Sequence, residues 1–312
     1  MEGKFMSNTT SAFIAIVGRP NVGKSSLINK ILGQKIAIVS DKPQTTRTRI
    51  MGVHTEGEAQ IVFVDTPGFH KPRNILGENM VKAVGNGLSD VDGVILVVEA
   101  EPKFKRTADT LPHAEEELIS EIKKRGLKAF LVINKIDLLE DKEDLLELIT
   151  EYTKHLNFEA VIPVSAKTGD GVSFVVDEAK KLLKPSVHYF DSDNVTDQSE
   201  KVMVAEMIRE KLLWFLEKEV PHGIAIDIER FFERDLASGE PIVEIEATIY
   251  CEKDTHKGII IGKGGEMLKK VGSAARRSIE NFFGIKASLK LWVKVKEDWR
   301  NRQGLIHTFG LD

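Results

Sequence analysis

Cysteine is almost missing from this chain of 312 residues. Cys251 stands alone in a segment that reads as a strand, so no disulfide framework exists and a reducing compartment is expected. Long apolar runs are missing too. Nothing approaches the roughly 18 uninterrupted apolar residues of a membrane span, and the opening "MEGKFMSNTTSAF" lacks the apolar core of a secretory signal. A cytoplasmic location is therefore expected. There is no internal repeat and no low-complexity tract. What is present is an ordinary globular composition, 42% hydrophobic and 29% charged, long enough for two domains.

The net charge of -4 hides an asymmetry. Residues 201–252 carry six Lys/Arg against twelve Asp/Glu, whereas 253–302 carry thirteen against five. The second stretch has the polarity of a surface that meets a polyanion, and solvated helix and strand faces are the alternative.

The first part of the chain alternates short Val/Ile-rich runs with amphipathic segments. The runs are 13–18, 60–65, 92–100, 128–135 and 160–165, with helices expected over 24–32, 75–88, 114–125, 142–155 and 172–183. Strands that are apolar throughout are buried on both faces, which predicts a doubly wound α/β domain with a mainly parallel sheet. A polar, unperiodic stretch at 184–200 reads as a linker. Beyond it the pattern is α-β-β-α-α-β, a smaller α+β domain. The expected division is a disordered 1–10, a nucleotide-binding domain over 11–185, a linker over 186–200 and the α+β domain over 201–312.

Four motifs in the first domain each close an expected strand. "GRPNVGKSS" at 18–26 has the spacing of a phosphate-binding loop: glycines let backbone N–H groups converge on phosphate oxygens, Lys24 reaches the β/γ-phosphates, and Ser25 is placed for Mg²⁺. "DTPG" at 65–68 supplies an acid for the metal and the Gly68 N–H for the γ-phosphate. "NKID" at 134–137 sets the Asp137 carboxylate to accept the two adjacent N–H donors of guanine, a pair that adenine lacks. "VSAK" at 164–167 offers a backbone N–H near Ala166 to the guanine carbonyl. Open α/β sheets bind ligands at the carboxyl ends of their strands, and all four motifs fall there in order. The nucleotide-binding candidates are Gly18, Arg19, Pro20, Asn21, Val22, Gly23, Lys24, Ser25, Ser26, Asp65, Thr66, Pro67, Gly68, Asn134, Lys135, Asp137, Ser165, Ala166 and Lys167. Lys24, Asn21 and Gly68 are the catalytic candidates.

Near the C-terminus "GIIIGKGGEMLKK" at 258–270 also has closely spaced glycines, but no Ser or Thr follows its lysine as a phosphate-binding loop requires. Gly262-Lys263-Gly264-Gly265 instead matches the Gly-x-x-Gly loop of a KH domain, which clamps the backbone of about four unpaired nucleotides beside an apolar groove. Lys269, Lys270, Arg276 and Arg277 extend its positive charge, with Lys290, Lys294 and Lys296 further on. Ile259, Ile260 and Ile261 are expected in the core rather than in the groove, and Trp292 is expected buried rather than stacked on a base.

These motifs, with "QTTRT" at 44–48, resemble the translation-factor class of GTPases and, within it, the Era family. The likeness runs on through "HYF", "EMIREKL" and "IERF", with Asp191 departing from the proline expected after "HYF". The resemblance implies a P-loop GTPase domain followed by a type II KH domain, acting as a GTP/GDP switch. It implies a first switch loop at "QTTR", with Thr46, and Thr45 as the alternative, joining Ser25 and Asp65 on Mg²⁺, and a second at 68–80. It implies a partner in the 3′ region of small-subunit ribosomal RNA, a role in maturation of the small ribosomal subunit, a monomer, and some peripheral association with the inner face of the membrane. Ras-like enzymes place a water-orienting Gln directly after the glycine that ends the "DTPG" motif. Here that position is Phe69, so slow intrinsic hydrolysis is expected. Asn21 resembles a residue that holds K⁺ in related GTPases, and Arg47 and Arg49 are the rival cations.

Overall fold

A computed structural model describes residues 9–69, 72, 74–100 and 111–311. The chain forms two compact units, one of residues 1–37, 46–71 and 80–197, the other of residues 38–45, 72–79 and 198–312.

The first unit is built on strands β1 (Thr10–Val17), β2 (Ile50–Glu56), β3 (Ala59–Asp65), β4 (Gly93–Glu99), β5 (Ala129–Asn134), β6 (Ala160–Pro163) and β7 (Lys184–Pro185). Their order is β2-β3-β1-β4-β5-β6, with β7 antiparallel to the start of β1. All pairings along that path are parallel except β2 with β3. Helices α1 (Lys24–Leu32), α2 (Ile75–Gly87), α3 (His113–Arg125), α4 (Lys142–His155) and α5 (Val172–Lys180) alternate with them, residues 75–79 of α2 being counted in the other unit. Parallel strands need such crossovers, and helices on both faces explain why the strands are apolar throughout. Successive residues of β4 show this. Ile95 and Val97 join one core cluster with Leu27 and Val175, while Val94, Leu96 and Val98 join another with Leu118 and Ile122. Parallel register then brings the ends of β1, β3 and β5 to one edge of the sheet.

Two boundaries differ from the sequence reading. Disorder is expected there over 1–10; residues 1–8 lie outside the described residues, but Thr10 already opens β1, and Thr9 donates from its hydroxyl to the Ser186 carbonyl at 2.8 Å. The expected linker is also partly built into the first unit. Gln60 is fully buried, accepts from Tyr189 and Phe190 N–H at 2.8 and 3.1 Å, and donates to the Phe190 carbonyl at 2.9 Å. A buried amide must find partners, and residues 189–190 provide them. Further along, Val53 N–H donates to the Val195 carbonyl at 2.9 Å. Strand β2 is an addition to the sequence reading: it is an edge strand turned into β3 through Gly57, whose φ of 61° suits glycine.

The second unit contains α6 (Glu200–Phe215), β8 (Ala225–Asp235), β9 (Pro241–Cys251), α7 (Asp254–Ile261), α8 (Glu266–Phe283), β10 (Lys286–Val295) and α9 (Gln303–Thr308). This is the expected order with one short helix added. The sheet runs β10-β9-β8, antiparallel between β8 and β9 and parallel between β9 and β10. One face is packed: Val243, Ile245, Ala247 and Ile249 of β9 meet Val204 and Ile208 of α6 and Val271 and Ile279 of α8. Residues 38–45 belong to this unit through α6, where Val39 N–H donates to Glu210 at 3.0 Å and the Trp214 indole donates to the Val39 carbonyl at 2.9 Å. The Arg209 guanidinium donates to the carbonyl of Thr45.

Candidate nucleotide and RNA sites

The loop between β1 and α1 is shaped by three unusual backbone conformations. Gly18, Asn21 and Gly23 have φ of 153°, 67° and 97°, and Gly18 leaves no room for a side chain because a Cβ there would stand 2.2 Å from the Val97 carbonyl oxygen. The helix that follows begins at Lys24, so its unpaired N–H groups open toward the loop. Lys24 is buried. Its ammonium donates to the carbonyls of Gly18 and Arg19 at 3.0 and 2.9 Å, and burial lowers its pKa to about 8 against the raising pull of Asp65.

Ser25, Thr46 and Asp65 meet beside it. The Ser25 hydroxyl donates to Asp65 Oδ2 at 2.8 Å and lies 2.8 Å from the Thr46 hydroxyl. Asp65 is fully buried, and desolvation raises its pKa to about 6 despite Lys24 and the hydrogen bonds it accepts. Its Oδ1 is buried with no hydrogen-bond partner. Two hydroxyls and a carboxylate with one unsatisfied oxygen are a hard, oxygen-only donor set, which fits Mg²⁺. Thr45 turns elsewhere, its hydroxyl donating to the Lys42 carbonyl at 2.6 Å.

The base end is built from β5 and the turn after β6. Asp137 Oδ1 accepts from the Ser165 hydroxyl at 2.7 Å, and Lys167 stands 4.0 Å from Oδ2. Asn134 is buried between two loops: its Nδ2 donates to the Val22 carbonyl at 2.8 Å and its Oδ1 accepts the Ala166 N–H at 2.9 Å. It therefore staples the phosphate loop to the base loop, a role its place in the motif did not reveal. Gly23 accommodates it, since a Cβ there would lie 2.2 Å from Asn134 Nδ2.

Several other motif residues act through their backbone or packing. The Arg19 side chain pairs with the fully buried Glu115 at 2.5 Å, and Tyr152 donates its hydroxyl to the same carboxylate. Thr66 is buried and donates to the Ile16 carbonyl at 2.9 Å. Lys135, at φ 68°, pairs with Glu99 at 2.9 Å. Pro20 abuts Gly68, where a Cβ would fall 2.7 Å from the proline Cα. Val22 and Pro67 are buried and Ser26 half-buried. Phe69 packs against the apolar cluster under β1 and β4, and its N–H donates to the Gly18 carbonyl at 3.2 Å. Arg47 is buried and Arg49 exposed. Within the second switch, residues 70, 71 and 73 lie outside the described residues.

In the second unit the Gly262–Gly265 loop joins α7 to α8. Gly262, Gly264 and Gly265 have φ of 74°, 61° and 82°. Gly262 is sterically required, because a Cβ would stand 2.7 Å from Met267 Cβ. Gly264 and Gly265 face open space. Lys263 is exposed at the tip. A groove of about 450 Å³ continues from the loop, lined by Gly265, Leu268, Lys269, Gly272, Ser273 and Arg276 of the loop and α8 and by Leu289 and Leu291 of β10. An apolar floor with two cations is suited to bases flanked by phosphates. Lys270 is directed elsewhere, its ammonium 4.3 Å from the Phe215 ring centroid, and Arg277 is exposed and donates to the Ser273 carbonyl at 3.3 Å.

Three expectations in this unit are corrected. Ile260 is core, as expected, and Ile261 packs partly on it, but Ile259 is exposed immediately before the glycine loop. Trp292 is 41% exposed rather than buried, because strand alternation opposite the core-facing Val293 carries it to the other face of the sheet. Of the lysines grouped as one basic surface, Lys290 and Lys294 pair with Glu246 and Glu229 at 3.2 Å each.

A glycine-shaped loop with a buried lysine, a metal-ready hydroxyl and carboxylate cluster and the "NKID" turn on an α/β sheet, followed by a Gly-x-x-Gly domain, define a P-loop GTPase with a KH domain. Residues 13–135 match the family model described as a 50S ribosome-binding GTPase, and residues 219–300 match that of the KH domain. The chain is 48% identical to the GTPase Era of Ruminiclostridium cellulolyticum over 301 residues, 96% of this chain and 97% of that one. It is 45% identical to the GTPase Era of Clostridioides difficile over 300 residues, 96% and 98% of the two chains. The fold also matches a crystal structure of Era with MgGDPNP and nucleotides 1506–1542 of 16S ribosomal RNA, at TM-score 0.89 and 34% identity over 97% of this chain and 99% of that one. A point variant of Aquifex aeolicus Era bound to GDP·AlF4⁻ gives 0.89 and 35% over the same shares. The chain belongs to the Era family of GTPases. Among the described residues no helix is long and apolar enough to cross a membrane.

Proposed function

We propose that this protein is a Mg²⁺-dependent GTPase switch that binds the single-stranded 3′ region of small-subunit ribosomal RNA and assists maturation of that subunit in the cytoplasm. The observation that carries the enzymatic half is the meeting of Ser25, Thr46 and Asp65, with one Asp65 oxygen left for a cation. Mg²⁺ held there would neutralise charge on the β- and γ-phosphates. Lys24 and the backbone N–H groups at the start of α1 hold the phosphates, Asp137 selects guanine, and the Gly68 N–H meets the γ-phosphate. The RNA half rests on the Gly262–Gly265 loop and its groove, and on the RNA that the related Era holds.

Phe69 packs on the apolar cluster and has no polar side-chain atom with which to orient a water, so hydrolysis without a partner is slow. Arg19 is tied to Glu115. Additional positive charge then comes from K⁺ on the Asn21 side-chain carbonyl. The first switch offers a route from nucleotide to RNA: Thr46 belongs to the metal cluster, while Thr45, one residue earlier, is bound through its carbonyl to Arg209 of α6. Losing the γ-phosphate frees Thr46 and perturbs that anchored segment, and bound RNA must reciprocally alter GTP affinity.

The test is GTP affinity and turnover with and without short single-stranded RNAs, in K⁺ and in Na⁺. RNA that saturates the protein yet leaves both nucleotide parameters unchanged refutes the switch. Turnover that is equal in the two salts and insensitive to Asn21→Ala refutes the potassium site.

A further inference from the structure

Strand β10 has two different sides. Leu289 and Leu291 line the groove that starts at the glycine loop, whereas Lys290, Trp292 and Lys294, the alternate residues, face the opposite side of the sheet. There they register with Glu246, Thr248 and Tyr250 of β9. Among the described residues β10 pairs only with β9, so its outer edge is open. From Lys286 to Lys296 the strand carries four lysines and no acid. Lysines alone are what an exposed edge uses against unwanted pairing. A half-exposed indole among them is not, because it adds apolar surface where that defence removes it.

We propose that this outer face is a second RNA contact, in which Trp292 stacks a nucleobase and Lys290 and Lys294 take the neighbouring phosphates of the strand that has left the glycine-loop groove. The inference rests on the KH reading of that loop and extends it. Three observations support RNA as the occupant. The groove and the Trp292 face lie on either side of one open edge strand, so a single strand can pass from one to the other. A KH loop clamps about four nucleotides, and the RNA in the related Era complex, nucleotides 1506–1542, is longer, so a strand held at the loop has further nucleotides to place beyond it. Finally, the lysines are available: their pairs with Glu246 and Glu229 join side chains 63% and 55% exposed on the lysine side, and exposed pairs of this kind are weak enough for a phosphate to displace. Those glutamates stand on β9 and β8, inward of the edge where the lysines are. Tyr250 ends this row, its ring packed against Phe309 with centroids 5.1 Å apart and Lys296 6.0 Å from its centroid.

The probe is the protein's own counterpart of the 1506–1542 segment, with nested fragments trimmed from either end to the shortest that still binds. Affinities are measured by fluorescence anisotropy for the wild type, Trp292→Ala, Trp292→Phe and Gly264→Asp. Trp292→Ala should weaken binding of the long RNA by roughly 5- to 150-fold, the range that base–aromatic stacking supports. It should leave the shortest fragment unaffected, and Trp292→Phe should recover most of the loss. Trp292→Ala is also expected to retain the wild-type thermal midpoint, since its side chain lies outside the core. Equal affinities of wild type and Trp292→Ala for every fragment overturn the proposal. So does a loss confined to small-subunit binding with naked-RNA affinity unchanged, which would make this a protein-binding face. Failure of the wild type to bind any fragment, or binding indifferent to Gly264→Asp, overturns the KH reading itself and is thereby told apart.

Discussion

Asn134→Ala tests whether the nucleotide site is assembled by a single buried amide. The side chain gives one hydrogen bond to the Val22 carbonyl at 2.8 Å and takes one from the Ala166 N–H at 2.9 Å, and the residue is 2% exposed. Truncation strands both backbone groups. A buried donor or acceptor left unpaired costs about 1–3 kcal/mol, so the two together set a span of about 2–6 kcal/mol. Water entering through the adjacent base site would relieve part of this, and about 2–3 kcal/mol is the expected loss. With the loops untied, the nucleotide must itself order them, and GDP affinity should fall about 10- to 100-fold, equivalent to about 1.4–3 kcal/mol. Urea unfolding of the nucleotide-free protein measures the first quantity and titration with a fluorescent GDP analogue the second. Asn134→Asp is the control: it keeps an acceptor for Ala166 but buries a carboxylate oxygen against the Val22 carbonyl, so its loss should be at least as large as that of Asn134→Ala. A wild-type unfolding midpoint together with wild-type GDP affinity in Asn134→Ala would refute the staple.

Asp137→Asn should shift preference from GTP toward xanthosine triphosphate, because an amide presents a donor where guanine also presents donors; competition binding reads the shift, expected to exceed tenfold. The two ends of the glycine loop should separate experimentally. Gly262→Ala, at φ 74° and with its Cβ 2.7 Å from Met267 Cβ, should destabilise the second unit by about 1–3 kcal/mol, whereas Gly264→Asp points into open space and should weaken RNA binding while sparing GTP binding. For the nucleotide-free protein, Asp65 and Lys24 impose opposite pH slopes. Burial raises Asp65 to about 6, so its contribution is full below its unfolded pKa of 3.8 and is lost as pH rises through 6. Burial lowers Lys24 to about 8, so its contribution is full above 10.5 and is lost as pH falls through 8. Stability of the first unit should therefore dip between about pH 6 and 8, where both groups are charged and desolvated. Thermal midpoints across this range should show the dip, Asp65→Asn should remove its acidic flank, and MgGDP should fill it.

Much of the molecule was legible in the sequence because its chemistry is local. "GRPNVGKS", "DTPG", "NKID" and the Gly-x-x-Gly loop each pack a turn and its polar or charged groups into a few residues, so spacing alone marks the P-loop GTPase and KH classes. Strands buried on both faces likewise announce a parallel sheet by being apolar throughout. Less legible was whatever depended on a distant partner. Asn134 reads in the sequence as part of a nucleotide motif; that it also ties two loops together was hidden, because its partners at Val22 and Ala166 lie 112 and 32 residues away. The 189–190 segment looked like a linker because what holds it, the buried amide of Gln60 and the ring of Phe13, lies far off in the sequence.

The sequence by itself thus determined the reaction class, the order of the GTPase and KH units and the place of the Gly-x-x-Gly loop in the chain, since motif spacing and hydrophobic period are properties of neighbouring residues. Tertiary structure alone decided that Thr46 rather than Thr45 stands with Ser25 and Asp65, that Arg19 is claimed by Glu115, and that Trp292 faces solvent. In each case adjacent or similar side chains are sent in different directions by what packs beyond them, and only long-range packing sets that.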